Sequence, residues 1–129
     1  MMNLQDKIKF WKNSAKEDFK FAEKLLKDKN YLWSLFIIQL SLEKALKARV
    51  LEKTKKEPPK IHDLIRLSLI AGLHTTKEKK REMEIITGFN IEARYTDYKQ
   101  GLKQKATFNY VKKYFNKSKE YLKWFLKKN

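Results

Sequence analysis

The stretch "IEARYTDYKQG", residues 91 to 101, places an arginine, two tyrosines and an acid within five positions: Arg94, Tyr95, Asp97 and Tyr98. A guanidinium is a planar fork that matches the oxygens of a phosphate or a carboxylate. A tyrosine ring beside it is a face on which a base can stack. The same residues also have a structural use, with Arg94 pairing with Glu43 and the tyrosines capping the end of a helical bundle. A second concentration of charge lies in "SLEKALKA", residues 41 to 48. Glu43 follows directly on an apolar run, so it is partly desolvated and needs a partner; Lys44, Lys47 and Arg94 are the candidates. Glu43 and Lys47 stand four positions apart in the favourable helical orientation, which is worth about 0.2–0.5 kcal/mol for a surface pair.

Other chemistries find little support. The two histidines, His62 and His74, fall in no metal-binding spacing of the HExxH kind. There is no phosphate-binding glycine loop, no GxGxxG and no GxSxG. With no cysteine, disulfides and thiolate metal sites are excluded, and the composition fits a reducing cytosol. No metal and no cofactor are expected. The formal net charge is +16; arginine occurs only at Arg49, Arg66, Arg81 and Arg94, so lysine supplies the other 27 of 31 basic residues. That balance points to phosphate-rich or acidic partners. The competing account is solubility, because the lysines follow helix surfaces and not one dense patch.

The elements that position these residues read as helices. With 3 Gly and 2 Pro in 129 residues and 42% apolar content, the chain has few breakers and enough apolar residues for one core. A first helix is expected from about Leu4 to Asp28, with Ile8, Trp11, Ala15, Phe19, Ala22 and Leu26 on its buried face. A second runs from Tyr31 to about Thr54. Its first half, "YLWSLFIIQLSL", is apolar nearly all round, so it is either the central helix or carries a face for a second subunit. Pro58 and Pro59 end it. A third is expected from about His62 to Gly72, with Asp63 in its first turn and Gly72 as the residue past its end. Thr76 caps a fourth, from about Lys77 to Asn90, with Met83, Ile86 and Phe89 inward.

The last helix is expected from about Gln104 to Lys127, with Phe108, Val111, Phe115, Ser118, Leu122 and Phe125 inward. Its rings alternate with lysines, a pattern that suits a membrane surface or stacked bases. The rings fall on one helical stripe, which favours the core instead. No strand alternation appears. The expected fold is all-α, an up-and-down antiparallel bundle of four to five helices, with residues 1–129 as one domain. The N-terminus lacks the apolar core of a signal peptide, and no apolar run reaches about 18 residues. No membrane span is expected, and the location is read as cytoplasmic.

Four features in order carry a family resemblance: Trp11, Ala15, Asp18, Ala22 and Leu25 on the first helix; "EKALKA" from Glu43 to Ala48; "HDL" from His62 to Leu64 after a proline-bearing turn; and Arg94, Tyr95 and Asp97 before a long aromatic helix. Together they resemble the HEPN domain, "higher eukaryotes and prokaryotes nucleotide-binding", over nearly the whole chain. The resemblance implies a bundle of four or five helices, often a homodimer, similar to the C-terminal substrate-binding domain of kanamycin nucleotidyltransferase. Many small members work beside a minimal nucleotidyltransferase, and some are ribonuclease toxins. Ribonuclease members carry an arginine with a histidine about one and a half to two helical turns later. No histidine follows Arg94, and Arg66 and His74 are separated by seven residues, one more than that pattern allows. Thr96 stands where this branch usually has proline, which leaves the loop without that ring's constraint on φ.

The leading expectation is a non-catalytic HEPN-type subunit that binds a nucleotide or phosphorylated substrate beside a minimal nucleotidyltransferase, a two-part system of the toxin–antitoxin kind. Its ligand-binding residues would be Arg94 on phosphate, Tyr95 or Tyr98 on a base, Lys44 and Lys47 adding charge, and Asp97, Glu43 and His62 completing the group. No catalytic residue is assigned. The alternatives are an RNA-cleaving toxin, and a purely structural or antitoxin-like dimer. Nucleotide or RNA is the expected ligand class, and a homodimer the expected assembly.

Overall fold

A computed structural model of the chain describes residues 1–95 and 101–127. Among them there are six helices and no strand: α1 (Leu4–Lys27), α2 (Tyr31–Thr54), α3 (Leu64–Ile70), α4 (Lys77–Glu92), α5 (Gly101–Lys105) and α6 (Phe108–Leu126). Side-chain caps begin four of them. Asn3 accepts from the Asp6 amide while the Asp6 carboxylate accepts from the Asn3 amide, a reciprocal box that satisfies two otherwise orphan donors. Asp63, Thr76 and Thr107 accept from amides of the first turns of α3, α4 and α6.

The four long helices form the up-and-down bundle. α1 runs antiparallel to α2, with Ser34 and Ser41 hydroxyls donating to the Ala22 and Ala15 carbonyls at 2.8 and 2.7 Å. Ala15 and Ala22 are fully buried, and their small side chains let the two backbones come close enough for those bonds. α4 also runs antiparallel to α2, since Asn90 meets Gln39 and Arg94 lies over Phe36. α6 is parallel to α2: Tyr31 packs edge-on to Phe108 at one end, and Arg49 reaches the α6 carboxyl end at the other. There the Arg49 Nη1 donates to the carbonyls of Trp124 and Lys127 at 3.2 and 2.9 Å, a cation on the negative end of a helix dipole.

α2 is the central helix. Fourteen of its residues are buried, on all its sides, against α1, α3, α4 and α6. Leu35, Ile38, Leu42, Leu46, Phe89, Met83, Ile86, Val111 and Phe115 belong to one core cluster, in which Phe19 stacks on Phe115 with centroids 4.7 Å apart. The N-terminal half of α2 is not wholly covered, however: Trp33 is 43% exposed.

Two expectations are corrected. The third helix begins at Leu64, because Asp63 has extended backbone and serves as the N-cap, not as a first-turn acid. It ends at Ile70, and Gly72 then takes φ +76°, the left-handed conformation that closes a helix. The last helix does not run unbroken from Gln104. Thr107 is extended and caps a new start, so α5 and α6 are separate. Phe108 becomes the first residue of α6 and is 50% exposed instead of inward, whereas Tyr114 and Tyr121 are buried. No helix of the described residues is long and apolar enough to cross a membrane.

Candidate functional site

Among the described residues, the predicted ligand residues divide into two groups in space. The first is a buried chain of polar bonds centred on Glu43, whose side chain is 6% exposed. One carboxylate oxygen accepts from Lys47 Nζ at 2.8 Å. The other lies 2.8 Å from His62 Nδ1 and 3.2 Å from the Gln39 amide nitrogen. Gln39, Glu43 and Lys47 are one helical turn apart along α2, which puts all three on one face. His62 comes from the loop after α2 that carries Pro58 and Pro59. Lys47 is further held over the Trp11 ring, 5.5 Å from its centroid. A carboxylate this deep is stable only with its lone pairs occupied, and three donors occupy them.

The chain continues outward from Glu43. Gln39, fully buried, donates to the His62 carbonyl at 3.0 Å and accepts from the Asn90 amide at 2.8 Å. Asn90, also buried, accepts from Arg94 twice: its backbone carbonyl from Nε at 2.8 Å and its side-chain oxygen from Nη2 at 2.6 Å. The guanidinium then emerges over the Phe36 ring and beside Tyr95, with centroids 5.7 and 5.9 Å away. Tyr95 is 65% exposed. Among the described residues no carboxylate pairs with Arg94. Arg94 therefore does not neutralise Glu43 directly; it is linked to it through Asn90 and Gln39.

Lys44 belongs elsewhere. It forms an ion pair with Asp18 at 2.7 Å and bonds Ser14 at 2.9 Å, both on α1. One residue along a helix is a rotation of about 100°, enough to send Lys44 to a different neighbour from Glu43. Asp97 and Tyr98 lie outside the described residues, as does Thr96. Gln39 and Asn90 were missed in the sequence. The available signals were a lone amide within the apolar run of α2 and the four-residue spacing of Gln39 to Glu43 and of Asn90 to Arg94.

Chemically, the arrangement presents a fixed cation and an exposed ring at the surface. Deeper in, Glu43 orients His62, whose imidazole is 52% exposed. The bond at Nδ1 leaves Nε2 as the outward nitrogen. Among the described residues, no group of three or more histidine or acidic side chains is gathered to hold a metal ion.

Comparison with known proteins places the chain. Residues 8–129 match the family model described as "HEPN domain". A solved structure, that of TT1696 from Thermus thermophilus, is similar with a TM-score of 0.78 at 19% identity, over 96% of this chain and 97% of that one. At that identity the likeness concerns the fold. No curated protein sequence matches.

Proposed function

Because the chain belongs to the HEPN domain family, a membership that supports a nucleotide-binding or RNA-related helical domain, we propose that it is a non-catalytic binding subunit. Its ligand is a nucleotide or phosphorylated substrate, taken where Arg94 and Tyr95 close the polar chain from Glu43. The observation that carries this reading is the anchoring of Arg94. Two bonds to Asn90 fix one edge of the guanidinium and leave its remaining N–H groups for a ligand. A pre-oriented fork loses less freedom on binding a phosphate than a mobile one. Tyr95 is placed to stack on a base, and Asp97 and Tyr98 join the group as candidates on sequence grounds. Glu43, Lys47 and His62 act behind it as the support of Gln39; Lys44, whose charge is matched by Asp18 on α1, is not part of this group.

Calorimetric titration with ATP, GTP and a short RNA in low salt tests this. Binding weakened on the order of tenfold or more in Arg94→Ala is expected, the loss of a charge-assisted contact. No binding at millimolar ligand, alone or with a partner chain, would sink it. The pairing with a minimal nucleotidyltransferase, in a toxin–antitoxin-like system in the cytosol, rests on the family resemblance alone; co-purification with such a chain is its test. A homodimer is supported by apolar surface left on α1 and α2, at Phe10, Phe21 and Trp33, and is tested by sedimentation at varied concentration.

The Glu43–His62 contact favours a second reading, RNA cleavage with His62 as general base. A carboxylate that orients an imidazole and leaves its far nitrogen outward is an arrangement suited to proton transfer. Incubation with total RNA decides it: cleavage lost in His62→Ala supports an enzyme, and intact RNA with the unmodified protein removes it.

A further inference from the structure

Away from Arg94, the antiparallel helices α4 and α6 enclose a cleft of about 290 Å³ lined by Lys79, Glu82, Lys117, Glu120, Tyr121 and Trp124. Glu82 lies eight residues before Asn90 on α4, about 12 Å along its axis. Its carboxylate is already engaged: Tyr121 donates to one oxygen at 2.7 Å and Lys117 to the other. Burial pushes the Glu82 pKa up, but the bonds from Lys117 and Tyr121 outweigh it and hold the carboxyl below its usual range. Glu120 is exposed and sits 3.6 Å from Lys123. Glu82 is therefore matched within the protein, while Glu120 and Glu78, which acts on Lys117 and Tyr121 from one turn earlier on α4, keep their charges toward solvent.

What is left to a ligand is the Trp124 ring and the Lys79 ammonium that rests on it, 4.4 Å from the ring centroid. Among the described residues Lys79 has no carboxylate partner. Three classes of ligand can be compared. A cation would compete with Lys79 for the indole face and meet its repulsion, in a protein of net charge +16. A neutral ring would displace the ammonium and give it nothing in return for the lost cation–π contact. A ring carrying an anion stacks on the indole and provides the displaced ammonium with a partner.

We propose that this cleft is a second binding site, for a planar aromatic ring bearing an anionic group. A mononucleotide and an aromatic carboxylate both have that chemistry. The site is independent of the Arg94 reading and stands if that reading fails.

In a Trp11→Phe/Trp33→Phe protein, Trp124 is the sole tryptophan and reports directly. Its fluorescence is followed during titration with AMP, benzoate, and their neutral counterparts adenosine and benzamide. Saturable quenching is expected from AMP or from benzoate, with about tenfold preference over the neutral counterpart; which of the two binds distinguishes the sources. Lys79→Ala, an exposed substitution, is expected to abolish the preference for charge, and Arg94→Ala to leave it intact. Absence of saturable quenching by either anion overturns the proposal. So does a charge preference that survives Lys79→Ala, or one that Arg94→Ala removes. Should the double tryptophan variant fail to fold, calorimetry of Arg94→Ala and of Arg94→Ala/Lys79→Ala with the same four compounds reads the preference of this cleft alone.

Discussion

Two glutamates on neighbouring helices each hold a lysine and one further polar partner or more, but at different depths. The Glu43 side chain is 6% exposed and that of Glu82 is 19%. The deeper one cannot turn to water, so its partners must come from protein, and each of those needs partners in turn. The outcome is a run of bonds through Gln39 and Asn90 that ends by fixing Arg94 at the surface. The shallower one is satisfied by Lys117 and Tyr121 and stops there, as one wall of a cleft. Depth decides whether a carboxylate merely pairs or organises a site around itself.

Removing each acid in turn separates the two sites. Glu43→Ala leaves Lys47 buried without its counter-charge and is expected to cost ~3–5 kcal/mol in denaturant unfolding. Glu82→Ala, beside a more exposed lysine, is expected to cost ~1 kcal/mol. Equal losses would mean that depth is not what separates them. Next, Asn90→Ala is expected to cost ~1–3 kcal/mol by stranding Gln39 and Arg94. It should also weaken nucleotide binding at Arg94, while Tyr121→Phe leaves that binding unchanged.

The pH dependence sharpens the contrast on the Glu82 side. Burial raises the Tyr121 and Tyr110 hydroxyls, Tyr110 to about 12. A raised folded pKa means that the unfolded chain releases these protons first. Stability is thus full below about pH 10, the ordinary tyrosine value, and falls as pH rises through the folded values. At the acid end the sign reverses: the lowered Glu82 contributes above 4.5 and its share is lost as pH falls through its folded value. Unfolding followed across both ranges should show both slopes, with Tyr121→Phe shallower in alkali. The smallest effect is expected from Glu120→Ala, whose pairing with Lys123 is solvent-exposed; a change within about 0.5 kcal/mol in the same unfolding assay checks it.

Much of the fold was legible because it rests on local rules. The apolar face of α1, the caps at Thr76 and the left-handed Gly72 follow from spacing and residue type alone. The break before α6 was not, since Thr107 has to choose between continuing a helix and capping a new one, and a threonine can do either. The candidate site was legible in part. Arg94, Glu43 and Lys47 stood out by charge against an apolar run. Gln39 and Asn90 stood out far less, because a neutral amide carries no charge to mark it, and the bond that joins the two crosses the bundle.

The sequence by itself determined that this chain builds helices, which faces are apolar and that Glu43 needs partners, because helical period and the cost of burying charge act within a few residues. Only the tertiary structure decided who those partners are. Lys44 turned to Asp18, His62 to Glu43 and Asn90 to Gln39, because such long-range pairing depends on how the segments are set against one another, and that is a property of the packed core as a whole.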